Sequence, residues 1–89
     1  VRGFTPEQLL AVADEFCPIY KVRVRSFSAL AACAAVPGAR VHGVPVFDAV
    51  SPAAQALADA IERLEPLTGA NQSFAGVAAE VYRRWAEGG

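Results

Sequence analysis

Apolar residues recur with a helical period in three stretches of this chain, and the gaps between them are punctuated by Pro and Gly. The first stretch opens at Thr5-Pro6-Glu7-Gln8, where a hydroxyl sits at the N-cap, Pro at the first helical position and Gln three residues on. That is a capping box with Pro at its preferred place. Phe4 and Leu9 stand where a hydrophobic staple needs them, and Leu9, Val12, Ala13 and Phe16 share one face. Pro18 is expected to end this helix. In the second stretch, Ser51-Pro52 repeats the cap-then-Pro opening. Ala54, Leu57, Ile61 and Leu64 are expected to face inward, Gln55, Asp59, Glu62 and Arg63 to face water, and Pro66 to close the helix. The last stretch has the clearest period: Phe74, Val77, Ala78, Val81, Tyr82 and Trp85 fall on one stripe.

Two shorter segments complete the pattern. "YKVRVRS" alternates basic and apolar residues, as a half-buried strand would; an irregular connector with two solvated arginines is the preferred alternative. Ser26 or Ser28 then caps a small-residue helix, "ALAACAAV", that stops at Pro37-Gly38. Residues 40–48, "RVHGVPVFD", are β-rich but interrupted by Gly43 and Pro45, which suits an edge strand or short hairpin. The predicted fold is therefore all-α: a single domain over residues 1–89, with about four helices and a short hairpin or extended flap near residues 40–48.

Composition adjusts this picture in a few places. Nineteen alanines within a 54% hydrophobic chain point to closely packed helices. A domain this small buries only about 60% of its unfolded surface, so its core is marginal. With a net charge of −1, no global field recruits nucleic acid or an anionic membrane. No run reaches the roughly 20 apolar residues of a membrane span, and the first residues lack the organisation of a secretory signal. Cys17 and Cys33 leave two readings open, one disulfide or two free thiols, of which free thiols in a cytoplasmic protein are preferred. The lone histidine, His42, lies beside Gly43 and reads as a surface loop residue before it reads as a catalyst.

The candidate chemistry lies in "LEPLTGANQS", residues 64–73. Gly and Asn stand just ahead of a helix, and the free N–H groups of a helix start attract anions. Yet the stretch has no Lys, Arg or His. The same Gly and Asn also suit an ordinary turn between two helices.

The order of the parts resembles the Fic/Doc family, and within it the Doc-like (death-on-curing) toxins of toxin–antitoxin pairs. "FTPEQLLAVAD" is similar to the family's opening helix. "KVRVRSFSALAACAAVPGARVHGVPVF" resembles the Val-Arg-Asp segment, small-residue helix and flap hairpin, so that Val41, His42, Gly43 and Val44 would form the flap. "SPAAQALADAIERL" looks like the helix leading into the active site. "EPLTGANQSFAGVAAEVYRRW" then takes the place of the signature His-x-Phe-x-Asp-[Gly/Ala]-Asn-x-Arg and the helix behind it. Relative to the family, the chain is short at its C-terminus.

The resemblance implies a nucleotide-loop remnant from Pro66 to Ser73 that keeps its scaffold and loses its reactive groups. The family's catalytic His falls on Glu65. Pro66, Leu67, Ala70 and Asn71 are acceptable at their positions, whereas the metal-holding acid falls on Gly69. Gln72 stands where Doc-like members have Lys, and Ser73 where they have the phosphate-binding Arg. Family members transfer an adenylyl or phosphoryl group from ATP or another nucleotide to a protein hydroxyl with Mg²⁺, chemistry that rests on positioning and charge stabilisation. Loss of a general base alone costs about 10²–10⁴-fold, and loss of one charge-stabilising donor about 10²–10³-fold. No nucleotide or metal is therefore expected to bind.

These observations imply a catalytically impaired Doc-like toxin homologue that acts by protein binding. Its partner would be an antitoxin-like helix or a second copy in a homodimer, with Phe74, Val81, Tyr82 and Trp85 at the contact. Two alternatives stand beside it. One is a diverged but active Fic/Doc-type transferase that uses Glu65 and Asn71; the other is an unrelated small helical interaction module.

Overall fold

The computed structural model describes residues 1–88. Four helices, α1 (Pro6–Tyr20), α2 (Phe27–Ala35), α3 (Val50–Leu64) and α4 (Asn71–Gly88), carry the fold. A two-stranded antiparallel hairpin, β1 (Arg40–Val41) and β2 (Val44–Pro45), lies between α2 and α3. The chain is thus mostly α, as its periodicity predicts. No described helix is long and apolar enough to cross a membrane.

The helix starts follow local chemistry. Thr5 accepts from the Gln8 N–H at 3.0 Å while the Gln8 side chain accepts from the Thr5 N–H at 2.8 Å, closing the expected capping box. Ser26 caps α2 by accepting from the Ala29 N–H at 3.1 Å. The hairpin turns at His42 and Gly43, both with positive φ (52° and 81°). Two successive positive φ values suit the twist of a two-residue hairpin, and Gly43 adopts its value without steric cost.

One core unites the helices. Leu9 and Phe16 of α1, Leu30 and Cys33 of α2, Leu57 and Ile61 of α3, and Phe74 and Tyr82 of α4 are all buried. α3 and α4 make the most extensive contact. Ala53, Ala54, Ala58 and Ala60 of α3 and Ala75 and Ala78 of α4 are all buried, so small side chains fill much of the core around these helices. This is where much of the alanine content goes.

Several sequence expectations need correction. α1 does not end at Pro18 but runs through it to Tyr20. A proline removes one intrahelical N–H, and within the final turn little helix remains to be disturbed. Lys21, in the left-handed region, closes the helix by donating its N–H to the Cys17 carbonyl. α3 begins at Val50 with no side-chain cap, so Ser51 and Pro52 lie inside its first turn rather than opening it. Leu64 is exposed at the helix end instead of facing inward. Residues 21–26, by contrast, are the irregular connector preferred from the sequence, with a single β-bridge, Val24 to Leu67.

The N-terminal segment was not legible as a structural element. Phe4 is buried against Tyr82 and Trp85, with ring centroids 5.4 and 5.6 Å away. The Tyr82 hydroxyl donates to the Arg2 carbonyl, and the Arg2 guanidinium lies 4.1 Å from the Trp85 ring centroid. Gly3 passes so close to Gly38 that a Cβ on Gly38 would sit 2.6 Å from the Gly3 Cα. Gly38 is there for backbone clearance.

Candidate functional site

The loop that joins α3 to α4 is braced from both sides. Glu65 ends α3 in the left-handed region (φ 48°) and donates its N–H to the Ile61 carbonyl. Ala70, also left-handed (φ 55°), turns the chain into α4, where the Phe74 N–H meets the Ala70 carbonyl at 2.9 Å. For a residue with a Cβ, this conformation costs about 1–2 kcal/mol. Such strain persists only where surrounding contacts impose it.

Those contacts come from Asn71 and from the connector. The Asn71 amide closes the loop on Leu67, with Oδ1 accepting from the Leu67 N–H and Nδ2 donating to the Leu67 carbonyl, both at 3.0 Å. Pro66 and Leu67 are buried. On the other side, the Pro66 carbonyl accepts from the Arg25 and Ser26 N–H groups at 2.7 and 3.2 Å. The Thr68 N–H donates to the Arg23 carbonyl at 2.8 Å, and Thr68 Oγ1 accepts from the Arg23 N–H at 3.0 Å. Arg25, expected as a solvated arginine, spans back to α3: Nε donates to the Glu65 carbonyl at 2.7 Å and a terminal nitrogen to the Leu64 carbonyl at 2.8 Å. A guanidinium there satisfies carbonyls that the helix leaves open and complements its dipole.

A shallow cavity of about 350 Å³ lies over this loop, lined by Arg25, Glu62, Glu65, Thr68, Asn71 and Gln72 among others. Its charges are two carboxylates and one guanidinium, and that guanidinium is held by backbone carbonyls. Among the described residues, no three His, Cys, Asp or Glu side chains gather where they could hold a metal ion. A nucleotide with its Mg²⁺ does not fit this donor set. Position 69 offers no acid, positions 72 and 73 no cation, and Glu65 adds a negative charge. A Cβ on Gly69 would also touch Val22 Cγ1 at 3.4 Å.

The expected flap, Val41 to Val44, is a real hairpin, but none of its residues lines this cavity. Arg40 donates to the Gly43 carbonyl at 2.9 Å, holding the tip on itself. His42 is exposed at that tip.

The four residues expected at a protein contact divide. Phe74 and Tyr82 are fully buried inside this single chain, so neither is available at the surface. Phe74 packs on Phe16 of α1, ring centroids 5.2 Å apart, and the N-terminal segment covers the Tyr82 end of α4 from 80 residues away in sequence. Trp85 is half-buried beneath Arg2, and Val81 is 39% exposed. Sequence reasoning missed Ile19 (76% exposed) and Tyr20, which stand beside Val77 and Val81 across a cavity of about 250 Å³ between α1 and α4. The signal was present: apolar residues continue past Pro18, where the helix was expected to stop.

Both cysteines are free thiols. Burial pushes the Cys33 thiol up to about 11 and also raises Cys17, where the nearby Asp14 carboxylate adds to the effect. Neither is a ready nucleophile, since thiolate chemistry needs the opposite shift.

Set against family models, curated proteins and solved structures, the chain matches none.

Proposed function

We propose that this chain is a catalytically silent Doc-like protein that acts by binding another protein. One observation carries the reading. Two polar groups at the loop that could have served a nucleotide, the Asn71 amide and the Arg25 guanidinium, are both committed to backbone groups. The loop is thus built as a structural joint in the place where the resemblance puts a phosphate site. Its kinship with the Fic/Doc domain rests on the order of parts: opening helix, connector, small-residue helix, hairpin, helix, loop, helix.

Protein binding takes the place of catalysis because the surface still has something to bury. Ile19, Tyr20, Val77 and Val81 are large, exposed and neighbouring. Contiguous exposed apolar side chains of this kind mark an interaction surface.

Calorimetry with ATP and Mg²⁺ tests the silent half. The native chain should give no saturable heat. The combined variant Glu65→His, Gly69→Asp, Gln72→Lys, Ser73→Arg should gain measurable nucleotide affinity while keeping its helical circular dichroism. Low-micromolar binding by the native chain would refute catalytic silence. A folded variant with no gain would refute the family reading.

A further inference from the structure

We propose that the groove between α1 and α4 docks an amphipathic helix of a partner protein, and that the helix's apolar stripe carries one central basic residue opposite Glu15. The inference rests on the protein-binding half of the proposed function and not on the nucleotide chemistry.

Two cavities meet along this seam, of about 250 and 280 Å³, and both are lined by Val12, Glu15 and Val81. One extends to Ile19, Tyr20 and Val77; the other reaches Phe4 and Trp85. Phe16 and Tyr20 stack at 4.0 Å between ring centroids, 10° from parallel, and give the first end a flat wall. From Gln8 to Ile19 the α1 side of the seam runs about 16 Å, or three helical turns. That length and shape suit a helix that inserts anchors at i, i+3 or i+4, and i+7.

Charge decides the kind of helix. Glu15 is the sole charged residue lining either cavity, and it sits where they meet. Among the described residues, no ion pair engages it, whereas Glu80 on α4 is already paired with Arg83 and Arg84. The charged side chains of α1 are Glu7, Asp14 and Glu15, with no base among them. A second copy is therefore a poor occupant. A two-fold dimer brings the same patch against itself, so one centred on this seam would set Glu15 and its acidic helix against their own copies. Like charges brought together across an interface are penalised, while a complementary base is favoured.

The test is selection from a phage-displayed library of three-turn helical peptides against the intact chain, scored by sequence and by titration of the enriched peptides. The expected winners carry an apolar stripe with Lys or Arg at one central position. Changing that base to Glu should weaken binding at least about tenfold, and Glu15→Arg should invert the preference. Ile19→Asp with Val81→Asp should abolish binding while the melting curve confirms a folded protein. Winners that are neutral or acidic at that position, binding that survives the double substitution, or a library that yields no binder would each overturn the proposal. So would sedimentation of the native chain as a dimer that Ile19→Asp dissociates. None of these outcomes depends on nucleotide binding, so this proposal and the family reading can fail separately.

Discussion

At the loop from Glu65 to Ser73, Thr68, Asn71 and the neighbouring Arg25 turn to the backbone, while in the groove between α1 and α4 the apolar groups turn outward to solvent. The two regions lie on the same helix, α4, one at its start and the other along its flank. At the start, Asn71, Thr68 and Arg25 each satisfy main-chain atoms. Along the flank, Val77 and Val81 are 40% and 39% exposed with little above them. The region that resembles an active site in sequence is thus held as scaffold, and a region with no reactive residue leaves apolar surface in water. Reactive residue types alone do not locate function; unsatisfied surface is the better guide.

The largest expected effect tests whether the loop is scaffold. Asn71→Ala removes both hydrogen bonds to Leu67 and leaves a buried N–H and carbonyl without those partners. The cost should be about 1–3 kcal/mol, the range for a buried polar group left unsatisfied. Urea denaturation with an unchanged m-value measures it. A loss under about 0.5 kcal/mol, at the level of an ordinary surface substitution, would deprive the loop of its structural role.

A pH titration separates both regions from the core. The Cys33 thiol is raised from 9.0 to about 11 by burial in the folded chain. Its folded value lies above its unfolded one, so its stabilising contribution is complete below pH 9 and is lost as pH rises toward 11. Burial raises Tyr82 in the same direction. Cys33→Ala should flatten the alkaline fall in stability, and Arg25→Ala should leave its slope alone. If the slope instead follows Arg25, the loop rather than the core governs alkaline unfolding.

Much of the fold was legible because its signals are local. The Thr5–Gln8 capping box, the Ser26 cap and the period of α4 each depend on residues within a turn or two. The hairpin followed from Gly43 and Pro45. What escaped was non-local. No window of sequence shows that Arg2 and Phe4 cover Tyr82 and Trp85 or that Phe16 packs on Phe74, and so Phe74 and Tyr82 were expected at an interface when they are core. Arg25 escaped for the same reason, since the carbonyls it serves lie 39 and 40 residues away. The loop itself was legible as a loop. Its stiffness was not, because that comes from the connector.

A smaller effect separates side chain from backbone at the loop. Glu65 is exposed yet left-handed. Glu65→Gly relieves about 1–2 kcal/mol of local strain and returns about 0.4–1 kcal/mol through a more disordered unfolded state. A net gain near 0.5 kcal/mol in chemical denaturation is expected. A loss would mean that the Glu65 carboxylate supports the fold, and that the position is not available for the substitution to His described above.

The smallest effect belongs to the groove. Ile19 is 76% exposed in the last turn of α1, so the folded chain gains little from its side chain. Ile19→Ser removes apolar surface that water already covers in both the folded and the unfolded state. The hydrophobic term is nearly the same on the two sides of the equilibrium and cancels. Ser has a helix propensity close to that of Ile, which removes the other ordinary source of change. Stability should therefore shift by less than about 0.5 kcal/mol, as for other surface sites. Asn71→Ala should cost several times more. A loss above about 1 kcal/mol at Ile19 would show that this end of the groove is packed in solution, by the chain itself or by another copy. The groove would then no longer be the surface left open.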